Sequence, residues 1–274
     1  MDILYWDDVI RYTQPAFSQG AALSIGGFDG PHRGHERIFH AVLQAASRYG
    51  APAGLITFRR SPRFQKAGTA YSGDVSTLEM RLRKFESYGF VFTVLIDFSE
   101  DFAKIRGTVF FDILMKTIRI KYLAVGSDFT CGYRHDTGSE TLRLLASTKG
   151  FCFDSIEQLC SGRYGRISSS AIRQAVEQAD FTLAKDLLGY PFFLDVSKIA
   201  QRPAAEKCFI DTSSIEQILP MNGWYTAQVY SCAEEMSLAH IRITDSVLEV
   251  SSQGVPALCA AGNRIQTIQF IRKE

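Results

Sequence analysis

Hydrophobic residues in roughly the first 190 positions of the chain follow two alternating patterns. Short apolar runs, which are typical of buried strands, occupy residues 21–25, 54–58, 91–96 and 122–125. Apolar residues at helical spacing separate these runs and predict helices over residues 34–49, 77–88 and 109–117. Strands that alternate with helices are typical of a parallel α/β sheet.

The pattern changes near residue 195. Beyond it, short β-type runs occur without helices between them, at residues 224–230, 238–243, 247–250 and 265–271. We therefore predict an α/β domain over residues 1–194 and a small β domain over residues 195–274.

Parallel α/β sheets bind ligands beyond the carboxyl ends of their strands, where loops lead into helices. The loops that follow Ile25, Phe58 and Val125 are therefore the candidate site.

The loop after Ile25 has the strongest chemical pattern. Residues 26–35 read Gly-Gly-Phe-Asp-Gly-Pro-His-Arg-Gly-His. Glycines let the backbone approach a polyphosphate, histidines three apart share one helical face, and a helix start supplies N–H donors. The predicted nucleotide-binding residues are Gly26, Gly27, Phe28, Asp29, Gly30 and Gly34, with His32 and His35 as catalytic donors. The alternative is an ordinary turn with two structural histidines.

A second candidate is the serine-rich segment at residues 167–173. Ser168, Ser169 and Ser170 precede Arg173 by about one helical turn. Hydroxyls and N–H groups at a helix start hold phosphates, and an arginine neutralises their charge. The alternative is a simple N-cap, for which serine is common.

Both segments resemble motifs of one family. Residues 26–35 are similar to the G-x-F-D-G-x-H-x-G-H signature of the adenylyltransferase half of bacterial riboflavin kinase/FAD synthetases, within the H-x-G-H nucleotidyltransferase superfamily. Residues 167–173 are similar to its I-S-S-T-x-I-R segment, and further similarity runs in order from about residue 20 to 194. The resemblance implies a Rossmann-like domain that moves AMP from ATP onto FMN, giving FAD and pyrophosphate, with Mg²⁺ accompanying ATP. It also implies catalytic roles for His32, His35 and Arg173.

By position, the resemblance places the flavin beside the loops after the strands at 54–58 and 122–125. The implied flavin-binding residues are Phe58, Pro62, Arg63, Asp128 and Phe129. For the two phenylalanines, the alternative is packing in the core.

The sequence departs from the family pattern at three site positions. Gly27 stands where the family usually has Asn, Ser61 where it has His, and Cys131 where it has a second Phe. The acceptor's phosphate is therefore expected to be held differently, or the acceptor itself to differ.

The β domain resembles a degenerate riboflavin kinase module. Residues 219–225 and 247–250 are similar to strand segments of that module, the latter with Glu249 at the position of a catalytic carboxylate. Residues 195–218, however, contain no glycine and no Pro-Thr pair, so the phosphate-binding loop of the kinase is missing. We predict a remnant β-barrel without kinase activity, in which Glu249 is a solvated strand residue.

Composition excludes several functional classes. With 30 basic and 29 acidic residues, the net charge of +1 gives no field that selects nucleic acid or anionic lipid. No apolar run of about 18 residues and no signal peptide is present, so no membrane span is expected. The six cysteines lack metal-ligand spacing and are expected to be free thiols in the cytoplasm, with no protein metal site. The oligomeric state is left open.

Two other functions are compatible with these patterns. One is another H-x-G-H nucleotidyltransferase, either a cytidylyltransferase or an adenylyltransferase with a different phosphate acceptor. The other is a non-catalytic protein that binds a flavin or a nucleotide.

Overall fold

The computed structural model describes residues 1–11, 17, 19–60, 71–162, 165–204, 207–232, 236–252 and 264–274. The chain forms two compact units. The first consists of Met1–Gly68 and Leu78–Arg166, and the second of Thr69–Thr77 and Ile167–Glu274. The domain boundary after residue 194 stays a prediction. In the structure, residues 167–194 belong to the same compact unit as the β strands that follow them.

The first unit is built on a six-stranded parallel sheet in the order β1-β4-β3-β2-β5-β6. Its strands are β1 Asp2–Tyr5, β2 Ala21–Ile25, β3 Ala53–Phe58, β4 Phe92–Ile96, β5 Ile120–Gly126 and β6 Cys152–Ile156. Its helices are α1 Trp6–Arg11, α2 Arg33–Tyr49, α3 Leu78–Tyr88, α4 Glu100–Ala103, α5 Gly107–Thr117 and α6 Ser139–Lys149. A small hairpin of β7 Cys160–Ser161 and β8 Gly165–Arg166 ends the unit.

Helices cover both faces of this sheet. Every residue of β2 is buried, and successive residues point to opposite faces. Leu23 packs in a core with residues of α1, α5 and α6, whereas Ala22 packs in a second core with residues of α2 and α3. The apolar runs of the central strands are continuous because neither face meets solvent.

The strand order places a topological switch point between β2 and β5. From β2 the chain proceeds to β3 and β4 on one side, whereas β5 leads to β6 on the other side. The loops after β2 and β5 therefore leave neighbouring strands at the carboxyl edge and diverge. Such a crevice is the usual ligand site of open α/β sheets.

The second unit is an antiparallel sheet of seven strands in the order β10-β11-β14-β13-β12-β15-β9, with two helices. Its strands are β9 Phe193–Asp195, β10 Gln201–Ala204, β11 Lys207–Asp211, β12 Gly223–Ser231, β13 Met236–Ile243, β14 Val247–Ser251 and β15 Ile265–Lys273. Its helices are α7 Ser169–Glu177 and α8 Phe181–Leu188. Register shifts along β12 bend the sheet into a half-barrel.

The buried face of this sheet is apolar and is covered by α8. Along β12 the residues Tyr225, Ala227 and Val229 are buried and alternate with partly exposed ones. The ring of Phe181 in α8 stacks on Phe270 with a centroid distance of 5.2 Å. The predicted class, a Rossmann-like parallel sheet followed by a small β-barrel-like domain, is confirmed. Within the described residues, no helix combines the length and apolarity needed to cross a bilayer.

Candidate functional site

The loop between β2 and α2 has an unusual backbone. Phe28 has φ 44° and Gly30 has φ 57°. The left-handed region is costly for a bulky side chain such as Phe28 and is often found at functional sites. Packing holds it there, since the ring is buried and meets Phe39 at 5.2 Å and Phe85 at 6.0 Å between centroids. Asp29, between the two residues, is also buried.

The two histidines of this loop lie against each other. His32 is the N-cap residue of α2, and its ring stacks on that of His35 with a centroid distance of 3.6 Å and an interplanar angle of 15°. The backbone N–H of His32 donates to Nδ1 of His35 over 3.4 Å. A neutral His35 that accepts at Nδ1 carries its hydrogen on Nε2, where it is available as a donor.

Burial keeps both imidazoles neutral. It lowers the pKa of His32 from 6.5 to about 4, with a smaller contribution from Arg166. Burial also lowers the pKa of His35 well below 6.5, and electrostatic repulsion from His32 adds to this effect. Nδ1 of His32 is buried without a hydrogen-bond partner in the part of the chain that the structure describes. A buried polar atom in this condition is suited to meet a ligand or water.

The loop after β5 holds a charged pair beside this site. Asp128 is about half exposed and forms an ion pair with Arg166 of β8. Phe129 is partly buried against the core, and its N–H donates to the carbonyl of Gly126 over 2.9 Å. Arg166 was not among the residues predicted from the sequence, where its only signal was a basic residue directly before the serine-rich segment.

The loop after β3 is only partly described. Phe58 is partly buried and packs edge-on against Phe98 at 5.6 Å, as the core-packing alternative expects. Pro62, Arg63 and Ser61 lie outside the described residues. Cys131 packs against the same core, and burial raises the pKa of its thiol to about 12. The flavin-binding roles therefore stay predictions.

Arg81 of α3 joins the loops after β2 and β3. Its side chain is buried, and one Nη donates to the carbonyl of Gly27 over 3.0 Å. The same group donates to the carbonyl of Phe58 over 3.1 Å. Arg81 was not among the residues predicted from the sequence. The signal was its position four residues before the buried Phe85, since a charged residue on the apolar face of a helix is rarely without a role.

The serine-rich segment lies in the second unit. Ser168 is the N-cap of α7, and its hydroxyl accepts from the N–H of Ala171 over 3.2 Å. Arg173 is 8% exposed, and its Nε donates to the carbonyl of Gly73 over 2.9 Å. Its guanidinium also lies 5.7 Å from the ring centroid of Tyr71. The cap expected as the alternative is present, and the phosphate-binding role of Ser168, Ser169, Ser170 and Arg173 stays a prediction.

Comparison with known proteins places these features in context. A family model described as FAD synthetase matches residues 14–171. The chain is 28% identical over 230 residues to the bifunctional riboflavin kinase/FMN adenylyltransferase of Escherichia coli, covering 82% of this chain and 73% of the relative. It is 28% identical over 215 residues to the enzyme of the same description from Haemophilus influenzae, covering 77% and 70%.

A solved structure resembles the whole chain. It is described as a macrolide-efflux protein from Streptococcus pneumoniae and superposes with a TM-score of 0.80 at 21% identity, covering 100% of both chains. At this identity the likeness shows the fold alone, and it extends through both the parallel and the antiparallel sheet.

Proposed function

Because the chain belongs to the FAD synthetase family, we propose that it transfers AMP from ATP to FMN, forming FAD and pyrophosphate. The observation that carries this proposal is the stacked, neutral pair of His32 and His35. It lies at the start of α2, on the loop that follows a central strand next to the switch point.

The reaction needs positioning and charge stabilisation more than covalent chemistry. A phosphate oxygen of FMN attacks the α phosphorus of ATP, and pyrophosphate leaves from the opposite side. His32 and His35 donate hydrogen bonds to phosphate oxygens as negative charge builds, and the helix start adds its N–H groups. Ser168, Ser169, Ser170 and Arg173 hold the leaving pyrophosphate. Mg²⁺ arrives with ATP as part of the substrate.

The acceptor side of the proposed site is formed by the loops after β3 and β5. The proposed flavin contacts are Phe58, Pro62, Arg63, Asp128 and Phe129. Asp128 orients Arg166, with which it is paired, and so keeps a cation close to His32. A cytoplasmic location, where ATP and FMN are available, fits this activity.

We further propose that the second unit lacks riboflavin kinase activity. The segment without glycine forms the hairpin of β10 and β11, in which Gln201 pairs with Ile210. Glu249, at the position of the kinase carboxylate, is 12% exposed and lies 2.7 Å from Nζ of Lys207, so the expectation that it is a solvated residue is wrong. A carboxylate that forms an ion pair with a lysine is a weaker base, because the neighbouring positive charge stabilises its ionised form.

The test supplies the purified protein with ATP, Mg²⁺ and either riboflavin or FMN and follows FMN, FAD and pyrophosphate by chromatography. FAD from FMN, with no product from riboflavin, is the expected result. FMN from riboflavin would overturn the proposal on the second unit. No product from either substrate, with tight binding of FMN or FAD, would favour a binding protein, and a panel of other nucleotides and acceptors would detect a different transferase.

A further inference from the structure

We propose that Arg81 is a positioning residue that holds the nucleotide-side loop after β2 and the acceptor-side loop after β3 in one fixed arrangement. This inference rests on the proposed function for the identity of the two substrates. Its structural basis is the set of hydrogen bonds made by one buried guanidinium.

The guanidinium of Arg81 reaches backbone carbonyls of both loops. It donates to Gly27 over 3.0 Å, to Phe58 over 3.1 Å and to Arg59 over 3.0 Å. The side chain is only 3% exposed, so these bonds form away from water. Because the guanidinium is planar and rigid, its donors fix the positions of these carbonyls relative to one another.

Thr57 closes the network. Its buried hydroxyl donates to the carbonyl of Gly27 over 3.1 Å, and Arg81 approaches the hydroxyl oxygen at 3.4 Å. The carbonyl of Gly27 therefore accepts two hydrogen bonds, one from the strand β3 and one from the helix α3. A loop with a strained residue next in sequence needs such support, because Phe28 otherwise relaxes to a lower-energy φ.

The orientation of the Gly27 carbonyl has a consequence for phosphate binding. In a planar trans peptide the C=O and the following N–H point in opposite directions. Holding the Gly27 carbonyl toward Arg81 therefore directs the N–H of Phe28 away from it. Arg81 thus sets the direction of a backbone donor without touching the substrate itself.

The variant Arg81→Lys tests this role because it keeps a charge but cannot hold both loops with one planar group. Arg83→Lys is the matched control, since Arg83 lies on the same helix and is exposed. We measure kcat and both KM values for FAD synthesis at a temperature where thermal unfolding shows each protein to be folded. We also measure FMN affinity by fluorescence with and without a non-hydrolysable ATP analogue.

In the wild type we expect the ATP analogue to raise FMN affinity, because the two loops hold both substrates in one arrangement. For Arg81→Lys we expect this rise to be lost and kcat to fall about 10²-fold, as for a misplaced reacting group. Arg83→Lys is expected to match the wild type in both. A lower Tm with unchanged kcat for the folded Arg81→Lys protein would reduce Arg81 to a purely structural residue and overturn the proposal. Should Arg81→Lys fail to fold, Thr57→Val removes one donor to Gly27 and is expected to lower kcat about tenfold, the effect of losing one ordinary hydrogen bond. An unchanged kcat would contradict the network.

Failure of the proposed function is distinguishable from failure of this inference. If the wild type makes no FAD, the proposed activity is wrong. The binding of the ATP analogue then still tests Arg81, and equal affinity in Arg81→Lys and Arg83→Lys would overturn its role.

Discussion

At the scale of single residues, the protonation state of the histidine pair decides what the loop after β2 can do. Burial keeps the pKa of His32 at about 4, so at neutral pH the imidazole meets an anion as a hydrogen-bond donor and not as a cation. A donor of this kind gains strength as charge develops on a phosphate oxygen, which favours the transition state over bound substrate.

We expect His32→Ala to lower kcat for FAD synthesis by roughly 10² to 10³, the usual effect of losing one transition-state donor. His40→Ala is the control, because His40 lies exposed on the same helix. Rates with saturating ATP and FMN check the prediction. Equal turnover of the two variants would remove His32 from the mechanism.

His32 also makes stability depend on pH. Between pH 6.5 and about 4 the unfolded chain binds a proton at this residue that the folded protein does not. Stability therefore falls as the pH is lowered through that window. We expect the free energy of unfolding to drop by about 2 kcal/mol more in the wild type than in His32→Gln between pH 7.5 and 4.5. Denaturant titrations at both pH values measure it, and parallel pH profiles would contradict it.

At the scale of elements, the loop after β2 has space for the side chain that the family usually carries. A Cβ on Gly27 would meet nothing within 4 Å, whereas one on Gly26 would lie 2.8 Å from the Phe28 ring. The amide introduced by Gly27→Asn would add a hydrogen bond to the nucleotide of about 1 kcal/mol. We therefore expect this variant to lower KM for ATP about fivefold, as measured by steady-state rates at saturating FMN.

The companion variant Gly26→Asn shows whether this effect is specific. It is expected to lose about 1–3 kcal/mol of stability through overpacking against Phe28. Thermal unfolding compares the stability of the two variants. If Gly27→Asn loses as much stability as Gly26→Asn, the space beside Gly27 cannot hold a side chain.

The start of α7 has an observed role as an N-cap and a proposed role in phosphate binding, and one substitution separates them. Aspartate caps a helix as well as serine does, so Ser168→Asp is expected to keep the stability of the wild type. Its carboxylate would repel phosphate, and we expect KM for ATP to rise at least about tenfold. Ser168→Ala, which removes the cap, should instead cost about 1 kcal/mol of stability. An unchanged KM in Ser168→Asp would leave Ser168 as a cap only.

Prediction of elements from the sequence succeeded where periodicity was strong. The predicted strand at 21–25 coincides with β2, and the predicted helix at 34–49 differs from α2 by one residue. The strands β1 and β6 to β11 and the helices α1, α4, α6 and α8 were not predicted. Their segments are short or weakly periodic, and tertiary packing stabilises them.

At the scale of the whole molecule, the strand order decides which loops lie next to one another at the candidate site. The parallel class follows from the alternation of strands and helices, but the order β3-β2-β5 does not. That order brings the loops after β2 and β5 to one crevice. Beside it, Arg166 pairs with Asp128 of the loop after β5 and helps to lower the pKa of His32. In the second unit, β10 and β11 of the glycine-free segment pair antiparallel within the seven-stranded sheet.

The sequence by itself determined the fold class and the family motif at residues 26–35, because periodicity and motifs are local properties. The absence of a kinase phosphate loop stays a prediction. The tertiary structure alone decided the neutrality of His32, the pairing of Asp128 with Arg166 and the joining of two loops by Arg81. These depend on burial and on contacts between residues far apart in sequence, such as Gly27 and Arg81, which are 54 positions apart. Their energies arise only when the sheet and its helices exclude water around them.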